Sequence, residues 1–315
     1  MRFRKPKPKK IFAIDIGTNS IHGIIADIDE NKNIRIFLTD KKSIRLGANI
    51  NNGLINSSTI NETIYVLNKF KKNALYYSPV IYKAVATSAV REAINRDEFI
   101  NSVHIKTGIN IDIIDGNKEG YLIYKGVSRG LNLENKNIMV IDIGGGSTEL
   151  IFGNSEQLSV NSIKIGAIRT SLDFFPNFET HSSSIEKCEE HILEKIRSLN
   201  LKNFVQKVDK VIGTSGTIQA IARITLLNNN QEFLTPINNT TININDLNNS
   251  FEMILSKDSP SKRAKINGLE MPRAELISAG ALILKNILKE LSINELFISS
   301  YSLREGIVFD NFESN

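Results

Sequence analysis

Two segments of the chain, 127 residues apart, carry nearly the same ten-residue pattern. Residues 11–20 read IFAIDIGTNS, and residues 138–147 read IMVIDIGGGS. Each is an apolar, β-branched run that ends in Asp-Ile-Gly and then in small or hydroxylated residues, which is typical of a buried strand entering a tight turn. The repeat predicts two related α/β domains that face each other, each contributing one loop to a shared cleft.

The rest of the pattern is also mixed α/β. Strands are predicted near residues 21–28, 33–38, 80–86, 109–115, 138–143, 148–152, 157–165, 208–213 and 295–299. Helices are predicted from a capping box of Thr59 and Glu62 to about residue 72, from Asn117 to about 129, and at 184–198 and 272–291. Nine asparagines within residues 228–249 predict an irregular surface segment there rather than a core element.

These elements suggest three regions. Residues 1–10 form a basic tail, residues 11–128 a first domain and residues 129–315 a second domain. The last helix, over about 302–315, is a candidate to pack back on the first domain. The apolar faces of the helices at 184–198 and 272–291 are either core or the seam of a homodimer.

Composition restricts the class of protein. The chain has 315 residues, of which 41% are hydrophobic and 23% charged, so disordered and fibrous classes are excluded. It contains no apolar run near the roughly 18 residues that span a bilayer. A secretory signal is also missing, and the single cysteine, Cys188, cannot form an internal disulfide. We therefore expect a cytoplasmic protein with no membrane partner and no zinc site.

The positive charge is concentrated at the N-terminus. Six of the first ten residues are Lys or Arg. Without these six, 33 of the 39 basic residues remain, compared with 34 acidic residues. A neutral body argues against a nucleic-acid partner. The tail itself is either a solvated terminus or an arm for a long polyanion.

The two copies of the repeat predict a pair of phosphate-binding loops. Contiguous glycines allow backbone N–H groups to converge on an anion, and hydroxyls add further donors. Neither loop has the spacing of a Walker or a Rossmann motif. The loop residues are Gly17, Thr18, Asn19 and Ser20 in the first copy, and Gly144, Gly145, Gly146, Ser147 and Thr148 in the second.

Acidic residues border both loops. Asp15 and Asp142 precede the loops, and Glu149 follows the second, where hard oxygen ligands suit Mg²⁺ together with phosphate and water. Glu119 is expected in the first turn of a helix, where on sequence alone a helix-dipole carboxylate is the simplest interpretation.

A third turn and two arginines are less specific candidates. Ser215 and Gly216 lie in a small-residue turn between a strand and a helix, which serves either close packing or an anion contact. Arg91 follows a strand-to-helix turn and Arg273 stands at a helix start, and each is either a phosphate clamp or a solvated cap.

Seven motifs occur in a fixed order. They are DIGTNS at 15–20, ATSAVR at 86–91, GNKE with LIY at 116–124, DIGGGSTE at 142–149, GTSGT at 213–217, Arg273 before Ala279-Gly280, and LREG at 303–306. In this order they resemble the exopolyphosphatase / guanosine pentaphosphate phosphohydrolase family, Ppx/GppA, of the actin-like ATPase superfamily. The resemblance covers nearly everything after the basic tail.

The resemblance implies two ribonuclease-H-like domains with the active site in the cleft between them. It makes Glu119 the catalytic base and places Asp15, Asp142 and Glu149 around a divalent metal and the phosphates. Arg91 and the two loops match the family's phosphate contacts. Three departures stand out: Lys118 replaces a second glutamate, Tyr301-Ser302 replaces Asp-Gly or Gly-Gly, and Glu275 replaces Asp or Lys.

The expected activity is Mg²⁺-dependent hydrolysis of a terminal phosphoanhydride. Inorganic polyphosphate is the first candidate substrate, which the basic tail slightly favours, and guanosine pentaphosphate is the second. A non-catalytic guanosine tetraphosphate sensor shares the same loops. An ATP-dependent kinase of the same superfamily is a further alternative that would also need an acceptor site and an adenine pocket.

Overall fold

The chain divides into two compact units. The computed structural model describes residues 10–78, 80–201, 205, 207–229 and 237–313. The first unit comprises the described residues up to Asp115 together with the last helix, Leu303–Glu313, and the second comprises Gly116–Ser302. The division falls before the helix Gly116–Gly130, and not after residue 128 as expected, because this helix packs on strands of the second unit.

A five-stranded sheet organises the first unit. Its order is β3-β2-β1-β6-β7, with β1–β3 antiparallel and β6 and β7 parallel to β1. The central strand β1 is a continuous apolar run because both of its faces are covered. The strands are β1 Lys10–Ile16, β2 Ser20–Ile28, β3 Ile34–Ser43, β6 Val80–Ala86 and β7 Ile111–Ile113, and a separate hairpin contains β4 Ile50–Asn51 and β5 Leu54–Ile55.

Helices cover this sheet, and the last helix of the chain packs on β1 and β2. The helix Ser57–Ala74 is capped by Asn56, whose side chain accepts a hydrogen bond from the Thr59 N–H at 2.8 Å. The N-cap is therefore Asn56 and not the expected Thr59. The helices of this unit are α1 Ser57–Ala74, α2 Ser88–Glu92, α3 Arg96–Thr107 and α11 Leu303–Glu313.

The second unit repeats the same sheet and adds one strand. Its order is β10-β9-β8-β11-β13-β12, so β8 takes the central place that β1 has in the first sheet. An antiparallel meander lies on one side of β8 and a parallel strand on the other, as around β1. The predicted pair of ribonuclease-H-like α/β units is confirmed. The strands are β8 Ile138–Ile143, β9 Thr148–Gly153, β10 Leu158–Ile163, β11 Lys210–Thr214, β12 Thr240–Asn243 and β13 Glu295–Ile298.

The helices of the second unit pack on both its sheet and one another. They are α4 Gly116–Gly130, α5 Ala167–Phe174, α6 Ser182–Arg197, α7 Ser215–Asn228, α8 Ile244–Leu255, α9 Pro260–Arg263 and α10 Ile277–Glu290. Eleven of the fourteen residues of α10 are buried, and α10 packs against the apolar face of α6. The faces for which the sequence left core or dimer seam open are therefore core.

The asparagine-rich segment contains regular structure, so the prediction of an irregular segment was wrong over residues 240–249. Ile242 of β12 and Leu247 of α8 are buried. The Asn243 side chain accepts a hydrogen bond from the Asp246 N–H at 2.9 Å and so caps α8. The asparagines occupy a cap and exposed positions between buried apolar residues. Residues 230–236 lie outside the described part of the chain.

No helix within the described ranges is both long enough and apolar enough to cross a bilayer.

Packing between α7 and α10 supports the third small-residue turn. A β-carbon on Gly280 would overlap the Thr217 methyl group. We expect Gly280→Ala to lower the free energy of unfolding by about 1–3 kcal/mol, since overpacking outweighs the gain in helix propensity. Urea unfolding measures this change. Adding Thr217→Ser removes the methyl group and should restore most of the loss, whereas no recovery in the double variant would contradict the assigned contact.

Candidate active site

The glycine loop of the second unit, residues 144–147, is held from behind by a helix. The Gly144 N–H donates to the Ser147 carbonyl at 2.9 Å and closes the turn between β8 and β9. The carbonyls of Gly144 and Gly145 accept from the N–H groups of residues 167–169, at the start of α5, at 2.9–3.1 Å. The Arg169 Nε donates to the Gly146 carbonyl at 2.8 Å.

This arrangement separates the donors of the loop from its acceptors. The carbonyls are bound by α5, while within the described residues the N–H groups of 145–147 form no hydrogen bond. Convergent N–H groups without protein acceptors are suited to an anion. The sequence reasoning missed residues 166–169 as the support of the loop; the only signal was a glycine, Gly166, directly after a predicted strand.

The first loop is built in the same way inside the first unit. The Gly17 N–H donates to the Ser20 carbonyl at 3.1 Å, matching the closure of the second loop. The Thr18 carbonyl accepts from Gly47, and the Asn19 carbonyl accepts from the N–H groups of residues 44–45. The Asn19 Oδ1 is buried and accepts no hydrogen bond within the described residues. A polar atom in this position is available to a bound ligand or water.

Three of the predicted acidic residues lie in the second unit. Asp142 and Glu149 are paired across the β8–β9 hairpin, and their exposed fractions are 7% and 1%. Glu119 lies in the first turn of α4 and is 7% exposed. Asp142 Oδ2 accepts from the Ser302 hydroxyl at 2.7 Å, and Glu149 Oε1 accepts from the Ser162 hydroxyl at 2.8 Å. These serine contacts were not found from the sequence.

The carboxylates concentrate negative charge in a dry environment. Burial raises the pKa of Asp142 to about 6, although the Ser302 hydrogen bond opposes the shift. Burial also raises the pKa of Glu149 well above its ordinary value, and the charges of Glu119 and Asp142 raise it further. A cation would relieve this repulsion.

The donor set fits a divalent metal only with help from other ligands. No group of three or more His, Cys, Asp or Glu in the described ranges is arranged to hold a metal ion. Mg²⁺, however, commonly binds one or two carboxylates and completes its octahedron with phosphate oxygens and water. Asp142 and Glu149 fit that role. Asp15 is the last residue but one of β1 in the first unit, as Asp142 is of β8, and its assignment to the metal stays a prediction.

The small-residue turn at residues 213–217 lies next to Arg273, as the predicted phosphate contacts require. The Arg273 guanidinium lies against Gly216, where a β-carbon would overlap it, and the Arg273 Nε donates to Glu270 Oε2 at 3.3 Å. Ser215 adopts a left-handed φ of 84°, which is strained for a residue with a side chain. Phosphate contact by these three residues stays a prediction.

Two other candidates make contacts within their own units. The Arg91 guanidinium donates to the Ile114 carbonyl at 2.7 Å, so it is anchored just beyond the end of β7. Thr148, predicted to contact phosphate, is fully buried, and its hydroxyl donates to the Ile165 carbonyl at 2.6 Å. Thr148 therefore supports the hairpin from the interior.

The chain is similar to known proteins over nearly its whole length. The model of the Ppx/GppA phosphatase family matches residues 24–315. The chain is 32% identical to the bifunctional 3-dehydroquinate synthase/phosphatase of Fusobacterium nucleatum, over 96% of this chain and 46% of that protein. It is 27% identical to exopolyphosphatase 1 of Mycobacterium leprae, over 97% and 90% of the two chains. The crystal structure of an exopolyphosphatase from Cytophaga hutchinsonii superposes with a TM-score of 0.88 at 25% identity, covering 97% of this chain and 98% of that one.

The support behind the glycine loop can be tested at Gly166. A β-carbon there would lie 2.6 Å from backbone atoms of Gly145 and Gly146, and those atoms cannot move without shifting the loop. We expect Gly166→Ala to lower kcat/KM for phosphate release by about 10²-fold, as a displacement near 1 Å does. Circular dichroism and thermal melting serve as controls for folding. Full activity with an unchanged melting temperature would show that the loop does not depend on this contact.

The raised pKa of Asp142 predicts a pH-dependent cost to stability. Between its ordinary value of 3.8 and about 6 the folded state binds more protons than the unfolded state, so stability falls as pH rises through this window. In EDTA, Asp142→Asn should therefore raise the free energy of unfolding at pH 8 by up to about 3 kcal/mol. Near pH 4 the two proteins should unfold alike in urea. A gain of equal size at both pH values would assign the effect to packing instead of charge.

Proposed function

Because the chain belongs to the Ppx/GppA phosphatase family, we propose that it hydrolyses the terminal phosphoanhydride bond of inorganic polyphosphate and releases orthophosphate. The observation that carries this proposal is the buried group of Glu119, Asp142 and Glu149 in the same unit as a glycine loop whose N–H groups at residues 145–147 donate to no described residue. The proposal includes a cytoplasmic location, which the lone buried Cys188 supports.

In the proposed reaction the loops position the terminal phosphates and Glu119 activates water. Positioning and charge neutralisation dominate phosphoryl transfer. The Glu119 carboxylate accepts a proton from a water molecule whose oxygen bonds to the terminal phosphorus. The bond from that phosphorus to the bridging oxygen breaks, and the shortened polyphosphate leaves with the bond electrons. N–H groups of residues 145–147 stabilise charge on the terminal oxygens.

Phosphatases of this family generally depend on a divalent metal, and we assign Mg²⁺ to this chain. Asp142 and Glu149 would hold it, and Asp15 is a further candidate ligand. When bound, the ion neutralises phosphate charge. The serine hydroxyls on Asp142 and Glu149 keep these carboxylates oriented toward such a ligand set.

Guanosine pentaphosphate is the second candidate substrate, because its terminus is the same kind of phosphate chain. A guanosine tetraphosphate sensor would need the loops but not a buried acid that can act as a base, so Glu119 counts against it.

Replacing the proposed base gives the sharpest test. We expect Glu119→Gln to bind polyphosphate normally but to release phosphate about 10² to 10⁴ times more slowly, the usual loss for a general base. Glu98→Gln is the matched control, because Glu98 also lies in the first turn of a helix but is exposed. Phosphate release is measured on polyphosphate and on guanosine pentaphosphate at equal end-group concentrations, with Mg²⁺ and with EDTA.

The outcomes separate the proposals. Faster release from polyphosphate supports exopolyphosphatase activity. Faster release from guanosine pentaphosphate supports hydrolysis of that nucleotide instead. Near wild-type turnover by Glu119→Gln would remove Glu119 from the mechanism. Absence of release from both substrates would overturn hydrolysis and favour the sensor.

A further inference from the structure

The helix that carries Glu119 also carries an unusual cluster of cations. Lys118, Tyr121 and Lys125 of α4 form what we call the lysine–tyrosine cluster. The Lys118 Nζ lies over the Tyr121 ring, 4.6 Å from its centre, and the Lys125 Nζ lies 5.4 Å from the same centre. The Lys125 Nζ also donates to the Tyr121 hydroxyl at 3.2 Å. One aromatic ring therefore holds two ammonium groups together by cation–π attraction.

Helix geometry places this cluster beside the proposed base. The three residues are spaced i, i+3 and i+7, so they share one face and extend about 10 Å along the helix axis. Glu119 directly follows Lys118, and its side chain leaves the helix about 100° around the axis. A substrate whose end lies at Glu119 thus has the lysine–tyrosine cluster on the neighbouring face of the same helix.

Burial differs along the cluster. Lys125 is only 9% exposed, whereas Tyr121 is 38% exposed and Lys118 is exposed. Two ammonium groups at one ring concentrate positive charge on this face of α4, and a polyanion can contact it. The exposed end of the cluster allows such an anion to enter from solvent.

The contacts favour a phosphate chain over a nucleoside. Tyr121 is the exposed aromatic residue on this face, and a purine could stack on it only by displacing Lys118 from that side of the ring. Ammonium groups at successive positions along a helix match an anion whose charge repeats along its length. A compact terminal phosphate would need only one of them.

We propose that Lys118, Tyr121 and Lys125 form a subsite for the inner phosphates of a long polyphosphate chain whose terminal phosphate lies at Glu119. This inference rests on the proposed function and deepens it, because it predicts that the site distinguishes substrates by the length of their phosphate chain. Lys118 stands where the family pattern has a second glutamate, and the proposal gives this lysine a role in the subsite.

The test compares long-chain polyphosphate with tripolyphosphate. We expect Lys118→Gln to lower the ratio of kcat/KM for the long substrate over the short one by about tenfold, the equivalent of 1.4 kcal/mol for a charge-assisted contact. Tyr121→Leu, which removes the ring that holds both lysines, should act in the same direction. Lys187→Gln, an exposed helical lysine of the same unit, is the matched control.

A binding measurement separates this proposal from the proposed function. In the Glu119→Gln background, the slope of log affinity for long-chain polyphosphate against log salt should fall by about 0.7 when Lys118 is replaced, the value per contact for single-stranded nucleic acids. If the wild-type protein releases no phosphate but this slope still falls, hydrolysis is wrong and the subsite stands. Lys125 is buried, so Lys125→Gln would change packing as well as charge. The test therefore relies on Lys118, which is exposed.

Three results would overturn the subsite. The first is an unchanged ratio and an unchanged salt slope in both Lys118→Gln and Tyr121→Leu. The second is an equal loss on tripolyphosphate and on the long chain, which assigns these residues to the terminal phosphate or to folding. A larger loss on guanosine pentaphosphate than on polyphosphate would also reject it, because the ring would then serve the nucleoside.

Discussion

The backbone carbonyls of each predicted phosphate loop accept hydrogen bonds from behind the loop, and the proposed role of both loops depends on this interaction. In the second unit the start of α5 supplies the donors, and in the first unit residues 44–47 supply them. A helix start has N–H groups that need acceptors, and a glycine turn has carbonyls that need donors, so the two ends satisfy each other. The N–H groups of the loop are then left on the side where an anion can bind.

The same hairpin that forms the glycine loop also sets the charge of the site. Asp142 of β8 lies opposite Glu149 of β9. Ser302 donates a hydrogen bond to Asp142 and Ser162 donates one to Glu149, each from another part of the second unit. Buried acids of this kind lower stability unless a cation or an anion–cation pair accompanies them. Their retention in the interior is understandable if a metal–phosphate complex is the usual occupant of the site.

Sequence patterns predicted most of the fold because the repeat marks the central strand of each sheet. They failed where the signal depends on tertiary partners. The asparagine-rich segment has a polar composition, but pairing of β12 with β13 and the Asn243 cap make it regular. The domain boundary was misplaced because nothing in the sequence of α4 says on which sheet it packs.

The candidate site shows the same limit. Asp142, Glu149 and the glycine loop are local in sequence and were found together, whereas Ser302 is 160 residues from Asp142. Only the folded chain brings that hydroxyl to the carboxylate. The shared cleft between the two units, and with it the joint role of Asp15 and Arg91, stays a prediction from the repeat and the family resemblance.

The proposed chain-length preference has a nearer source in α4 than in Lys10. Lys10 begins β1, and the predicted phosphate loop follows the other end of this seven-residue strand, about 20 Å away at 3.3 Å per residue. At physiological ionic strength the Debye length is about 8 Å, so the charge of Lys10 is largely screened from the loop. Lys118, by contrast, is adjacent to Glu119, the proposed base, on one helix. Of these two cations, only Lys118 therefore lies close enough to the proposed base to add to an electrostatic preference for a long polyanion there.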